Sequence, residues 1–535
     1  MSGQQGRGER SQDRRNAKGR QRNRGGKRDF SRSAPSQRTR RADPARLVAF
    51  RVLRAVAMDD AYANLVLPHE IRRAKLDKRD AAFATELTYG ALRAQGTYDA
   101  ILTQNVDREL AELDPPVLNA LRLGTHQLLA MRVDDHAAVN ETVGLVRDQV
   151  GTGPSGLVNA VLRRVSEKSL EGWLDQLTAE TGEVDSLALR YAHPRWVVRA
   201  LRQSLKLHGR LSQDKPGTHS ESSEVAEGSE HSAGRSDDLE QLLQADNLAP
   251  VVHLVGLPGQ LQPGGGESLE QAAEAGAKPS ELIEGAAMFR GGDIGRLPGV
   301  AEGTLRVQDI GSQWIARALA EPAVAPDERW LDLCAGPGGK AALLAALAAE
   351  YQVHLLANEP APHRAELVQK ALAPIPQEAW SVRVEDGRRI SEYGPSFDRI
   401  IVDAPCTGLG ALRRRPESRW RRQPGDLAEL TVLQEQLLDA AVSVLAEDGL
   451  LAYVTCSPHA AETLVQVEDA LKRHPDLELL DAHELMENVA LPAGQELIRS
   501  RPEPVGEIVA KTVQLWPHIH GTDAMFFALF RREAP

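Results

Sequence analysis

The chain has 535 residues, 42% of them hydrophobic, more than one core usually serves, so two or three domains are expected. No apolar run reaches the ~18 residues of a membrane span, and the Arg- and Gln-rich N-terminus lacks the apolar stretch of a secretion signal, so a cytoplasmic protein is expected. Three cysteines, Cys334, Cys406 and Cys456, exclude a disulfide framework, and the lack of Cys-x-x-Cys or clustered His leaves no expectation of a metal.

The formal charge of −11 hides a division, because residues 1–41 hold 14 Lys/Arg against 3 Asp/Glu. This tail has no apolar period, so disorder is expected, and Arg/Gly arms of this kind attract phosphate backbones. Residues 43–180 read as helices. Val117, Leu121, Gly124 and Leu128 recur at helical spacing, as do Val139, Val143 and Val146, with Pro115–Pro116 and Gly151–Pro154 as breaks. No residue there forms a catalytic constellation, so a scaffold or an RNA-binding platform is expected. Residues 181–206 continue as a connecting helical region, and 207–238, rich in Ser, Gly and Glu, reads as a flexible insertion. Residues 239–302 form a small mixed segment in which VVHLVGL, at Val251–Leu257, is a plausible strand.

From 303 to 535 apolar runs alternate with helical ones, the sign of a doubly wound parallel sheet. RWLDLC, VHLLANE, WSVRVED, FDRIIVDAPC and GLLAYVTC are strands; GGKAALLAALAAE, APHRAELVQKAL and LTVLQEQLLDAAVSVLA are helices. The fold class is therefore an all-α bundle followed by a Rossmann-like α/β domain. The first strand runs into CAGPGGK, from Cys334 and Ala335 through Gly336, Pro337, Gly338 and Gly339 to Lys340. Its glycines let backbone approach a ligand at a helix N-terminus, although it is neither G-x-G-x-x-G nor a phosphate loop. Glu359, Asp386 and Asp403 then follow successive strands, which suits the ribose and adenine of NAD or S-adenosylmethionine.

The cysteines favour the methyl donor. VDAPCTGLG and LAYVTCSPHA place Cys406 and Cys456 after two strands joined by one helix. Right-handed crossovers make such strands neighbours, ~5 Å apart, so the thiols converge on one crevice. Two thiols beside a methyl donor suit C5 of cytosine, which attacks a methyl group only after a thiolate has added to C6. One cysteine makes that adduct and the second assists its breakdown, while Asp403 holds the cytosine N3/N4 edge. RRRPESRWRR then offers Arg413, Arg414, Arg415, Arg419, Trp420, Arg421 and Arg422 as phosphate and base contacts. The target base must leave its stack to reach the thiols.

Two resemblances sharpen this reading. ARLVAFRVLRAV, AFATELTYGALR, LRLGTHQLLAM, HAAVNETVGLVR and GLVNAVLRRV resemble the NusB fold, which implies RNA binding. DLCAGPGGK, VDAPCTGLGALRRRPESRW and YVTCS resemble motifs I, IV and VI of the RNA cytosine-C5 methyltransferases, and VQDIGSQW and HGTDAMFFALF, with Asp523, Phe526 and Phe527, resemble two further family segments. Together they resemble the RsmB (Sun/Fmu) branch. That resemblance implies a class I fold, S-adenosyl-L-methionine as cofactor and 16S ribosomal RNA as partner, with cytosine 967 the family's usual target. It assigns the nucleophile to Cys456, product release to Cys406, the cofactor loop to Cys334–Lys340, the ribose to Glu359, the adenine side to Asp386 and the motif IV acid to Asp403. DNA enzymes use the Pro-Cys cysteine instead, so thiols at both places favour RNA. Gly336 stands where relatives often have Ala, a harmless change on this reading, and Glu462–Thr463 replaces the usual Glu-Asn pair. A monomer is expected. The alternatives are tRNA methylation by the same chemistry, or an inactive RNA-binding antitermination-like factor.

Overall fold

The computed structural model describes residues 42–211, 238–259, 267–290, 294–392 and 396–534. The basic tail and nearly all of the Ser/Gly/Glu-rich insertion lie outside the described residues. Seven helices come first: α1 (Pro44–Met58), α2 (Ala63–Ala74), α3 (Lys78–Arg93), α4 (Gln95–Thr103), α5 (Pro115–Leu129), α6 (Asp135–Gln149) and α7 (Ser155–Val165). Their starts follow from local chemistry. The Asp43 carboxylate accepts from Arg46 N, Asp77 from Asp80 N and Asp134 from Ala137 N, while Pro44 and Pro115 occupy first-turn positions that need no amide donor. Leu53, Leu87, Leu121, Val146 and Leu162 fill the shared core, and a Cβ at Gly124 would lie 2.6 Å from Leu162 Cδ1, so glycine lets α5 and α7 close up.

Four more helices, α8 (Leu170–Thr178), α9 (Glu183–Arg190), α10 (Arg195–Leu207) and α11 (Asp238–Ala245), lead into the second half. Val197, Leu201, Leu205, Leu242 and Leu243 share one core with Leu409, Leu412 and Trp516, so the connecting helices are packed into the α/β domain. A small antiparallel sheet follows, made by β1 (Val252–Gly256), β2 (Lys278–Pro279), β3 (Ala286–Phe289) and β4 (Leu305–Val307) in the order β2-β3-β1-β4. Helices α12 (Glu267–Glu274) and α13 (Pro298–Glu302) lie between these strands in the chain. Because β4 pairs with β1, this unit runs past the expected boundary at 303.

The large sheet comprises β5 (Arg329–Asp332), β6 (His354–Asn358), β7 (Trp380–Arg383), β8 (Phe397–Asp403), β9 (Leu445–Thr455), β10 (Leu477–Leu479), β11 (Val513–Gln514) and β12 (Phe526–Arg532). Its order is β10-β12-β9-β8-β5-β6-β7, with β11 on β12. Strands β5 to β9 are parallel, and β10, β11 and β12 add an antiparallel end. Helices α14 (Ile310–Ala320), α15 (Gly339–Tyr351), α16 (Pro362–Leu372), α17 (Ser418–Arg421), α18 (Pro424–Ser443) and α19 (Leu464–Arg473) complete the parts that matter below. Alternation along the strands sends Ile401, Ala452 and Val454 to one core and Ile400, Val402, Leu451 and Tyr453 to the other, so both faces are covered. Strand order reverses between β5 and β8, which opens a crevice at their C-terminal ends.

Candidate active site

The turn from β5 into α15 is built for close approach. Gly336 N donates to Glu359 Oε2 at 3.2 Å, and a Cβ at residue 336 would lie 2.1 Å from that oxygen. Glycine here is therefore a fitted choice, and replacing it with Ala would displace a buried carboxylate whose other oxygen accepts from Ala361 N at 3.0 Å. Arg364 clamps the same turn through Gly336 O at 2.6 Å and Glu359 at 3.4 Å. Gly338 has φ +103°, a conformation costly for any residue with a Cβ, while a Cβ at Gly339 would meet nothing within 4 Å. That open space at the N-terminus of α15 leaves the backbone free for the close approach an adenosyl cofactor needs. Asp386 is held by the Arg388 guanidinium at 2.5 Å and stays partly exposed. Cys334 lies inside the turn, and burial pushes its thiol pKa up, which suits a backbone role.

Sequence reasoning missed what Lys340 does. Its ammonium donates to Asp403 Oδ2 at 2.8 Å, bridging the cofactor turn to the end of β8. Burial opposes its charge, but Asp403 outweighs burial and raises the Lys340 pKa. Asp403 is 32% exposed and has no other protein donor among the described residues, so Oδ1 is available to a ligand. Beneath the pair lies Asp332, 1% exposed, which burial and then the Asp403 charge push up to about 7. Nothing marked Asp332 in the sequence, because an acid within a strand reads like any other.

The two thiols meet as expected. β8 and β9 are parallel neighbours, and Cys406 Sγ lies 3.3 Å from Cys456 Sγ. Their hydrogen bond lowers the pKa of Cys456, with the Lys340 and Arg415 cations acting in the same direction. The same bond, together with burial, raises Cys406. Cys456 is thus the thiol inclined to ionise and Cys406 its protonated donor.

Glu462 fixes this geometry. The side chain is 0% exposed, and it accepts Thr407 N at 2.8 Å, Thr407 Oγ1 at 2.5 Å and Gln434 Nε2 at 3.2 Å. Gln434 also donates to Pro405 O at 2.8 Å, and Gly410 N donates to Cys456 O at 2.9 Å. The departure at Glu462–Thr463 therefore leaves a fully satisfied buried carboxylate that shapes the Pro-Cys loop.

The arginine-rich segment departs most from expectation. Arg419 is 0% exposed and donates to Ala192 O, Asn247 Oδ1 and Asp246 O at 2.9, 2.8 and 3.1 Å. Trp420 Nε1 donates to Leu92 O at 2.8 Å, with its ring against Gly96. Arg421 donates to Val56 O at 3.0 Å and to Ala61 O. Arg413 is buried on Gly521 O, and Arg414 bridges Asp309 at 2.5 Å and Asp523 at 2.8 Å. These five residues are corrected from RNA contacts to joints within the protein. Guanidinium forks satisfy several carbonyls at once, so arginine is as suited to a buried joint as to a phosphate. Arg422 reaches Asp426 at 3.9 Å, and only Arg415 is classed as exposed.

Among the described residues no group of three or more His, Cys, Asp and Glu could hold a metal ion, and no helix is long and apolar enough to cross a membrane. Residues 320–531 match the family model described as 16S rRNA methyltransferase RsmB/F, and residues 43–167 match the NusB family. A Mycobacterium tuberculosis protein provisionally named a methyltransferase is 44% identical over 92% of this chain and 98% of its own. The ribosomal RNA small subunit methyltransferase B of Pseudomonas putida is 30% identical over 88% of this chain and 98% of its own. The crystal structure of PH0851 superposes with a TM-score of 0.71 at 19% identity, over 92% of this chain and 100% of that one, which shows the shared fold. With its helical NusB domain, its mixed-sheet methyltransferase domain and relatives matched along nearly their whole length, the chain belongs to the RsmB/F family of 16S rRNA methyltransferases.

Proposed function

We propose that this protein methylates C5 of a cytosine in 16S ribosomal RNA, cytosine 967 by family resemblance, through a covalent adduct between Cys456 and C6. The observation that carries the reading is the thiol pair, 3.3 Å apart at the C-terminal ends of adjacent parallel strands. The chemistry supplied by S-adenosylmethionine when bound is an electrophilic methyl group. Cys456 Sγ bonds to C6 and sends an electron pair to C5, which makes C5 nucleophilic. Asp403, anchored by Lys340, holds the N3/N4 edge through its remaining oxygen. After methyl transfer the C5 proton passes to water, the C5–H bonding pair reforms the C5–C6 double bond, and the C6–S bond breaks with its pair returning to Cys456 Sγ. The Cys406 S–H then donates to the departing Cys456 thiolate, which stabilises the charge that returns there.

The test uses Cys456→Ala and Cys406→Ala with S-adenosylmethionine and 16S rRNA, followed by a denaturing gel for protein–RNA adducts and a methyl count. Cys456→Ala should give neither adduct nor product, whereas Cys406→Ala should accumulate an adduct. An adduct that survives Cys456→Ala and vanishes in Cys406→Ala would reverse the roles.

A further inference from the structure

Arg415 differs from every other basic residue of its segment. It is exposed and has no carboxylate within ion-pair distance among the described residues, and its guanidinium lies 4.8 Å from the centroid of the Tyr62 ring of the helical domain. Tyr62 is also contacted by Arg421, whose guanidinium lies 5.1 Å from the centroid of the same ring. The backbone on both sides of the stack is pinned. Glu417 Oε1 accepts Ala63 N at 3.1 Å, so a side chain of the α/β domain caps the first turn of α2, whose own N-cap residue Tyr62 makes no side-chain bond there.

The same stretch is tied to the thiols. Gly410 N bonds Cys456 O at 2.9 Å, and Arg415 N bonds Ala411 O at 3.0 Å, so one short turn separates the Cys456 backbone from Arg415. The Arg415 charge is also felt at the Cys456 sulfur. A free cation held rigid at the mouth of a crevice is arranged for an anion that arrives with the substrate.

We propose that Arg415 is a substrate-positioning residue that grips a phosphate flanking the target nucleotide, and that the helical domain completes the site by supplying Tyr62 as its support. The inference rests on the RNA-methylating reading of the crevice. A base extruded to reach the part-buried thiols brings its two flanking phosphates to the entrance. Stacking on Tyr62 occupies one face of the guanidinium and leaves its N–H edge free for two phosphate oxygens. The helical domain is then part of the active site as well as a separate RNA-binding module.

The experiment uses full-length Arg415→Ala, Arg415→Lys, Tyr62→Phe, Tyr62→Leu and the Arg415→Ala/Tyr62→Leu double variant. Binding to 16S rRNA and to tRNA is measured in parallel across a salt series, with KM and kcat for methylation and a thermal midpoint for each variant. Arg415→Ala should reduce the slope of log affinity against log salt by about one and raise KM for RNA roughly ten-fold, with kcat less affected. Arg415→Lys should keep the slope, and Tyr62→Phe should match the parent. Tyr62→Leu should lose most of what Arg415→Ala loses, and the double variant should be no worse than Arg415→Ala. An unchanged slope in Arg415→Ala, or additive losses in the double variant, would overturn the proposal. If the parent methylates neither RNA, the reading of the crevice fails, while the binding slopes still decide Arg415.

Discussion

The loop after β8 has two halves that look equally chemical in sequence and behave in opposite ways. Residues 403–411 present Asp403 and Cys406 to the crevice, each contacting a group from another strand end or helix. In residues 413–421 the side chains of Arg413, Arg414, Arg419, Trp420 and Arg421, though not that of the exposed Arg415, turn into the protein and join the α/β domain to its own motifs, to the connecting helices and to the helical domain. A motif's residue types state what chemistry is possible; the partners brought to it by the fold decide which is used. Carboxylates and thiols can be placed by strand order, whereas a guanidinium at the end of a long flexible side chain cannot.

Four measurements sharpen this contrast. The largest effect is expected where the first half is loosened. Glu462→Ala strips the buried acceptor from Thr407 and Gln434 without touching either thiol, so methyl transfer should fall at least ~100-fold through lost positioning. Retained turnover in that variant would show that the Pro-Cys loop holds itself. In the second half, Arg419→Ala leaves three acceptors bare, two of them buried, and should cost about 3–5 kcal/mol by chemical denaturation, with no change in the salt dependence of RNA binding. A lowered salt slope would return Arg419 to the RNA-facing group.

The same joint should respond to acid. Burial, then the Arg419 charge, lowers the His193 pKa to about 4. The unfolded chain takes up this proton within the ordinary histidine range, near 6.5, and the folded chain does so only near 4, so this contribution is present at neutral pH and is lost as pH falls. At pH 5 the loss should be about 2 kcal/mol. Comparing the pH dependence of stability for the parent and His193→Gln isolates it, and identical slopes would remove His193 from the account. The smallest effect is Trp420→Phe, which keeps most of the ring but loses the bond to Leu92 O and should cost about 1 kcal/mol in thermal or denaturant unfolding.

Much of this molecule could be read in advance, for identifiable reasons. The helices of the first domain show because Val117 and Leu121 in one helix, and Val139, Val143 and Val146 in the next, repeat at the spacing their burial demands. The thiol pair shows because a single helix between two apolar strands makes those strands neighbours. By contrast, β2, β3 and β4 are too short for a period, and only β1 stood out as a strand. Asp332 gave no signal, and Glu462 stood out only as part of a departure from a family pair, since a buried acid differs from an exposed one only through neighbours distant in sequence. The Lys340–Asp403 bond spans 63 residues, and Arg419 finds its acceptors at Ala192 and Asp246, in turns that follow α9 and α11 and carry no motif.

The cap that Glu417 places on α2 also sets a timetable. Its two partners lie 354 residues apart, and Trp420 lies 328 residues beyond Leu92. At roughly 5–20 residues per second a ribosome needs about 20–70 s to cover that distance. The helical domain therefore emerges and packs first, then waits with its slot at Gly96 empty and its second helix uncapped. Translation that stops before residue 415 leaves that face open, so the joint between the domains also registers that synthesis has passed the catalytic loop.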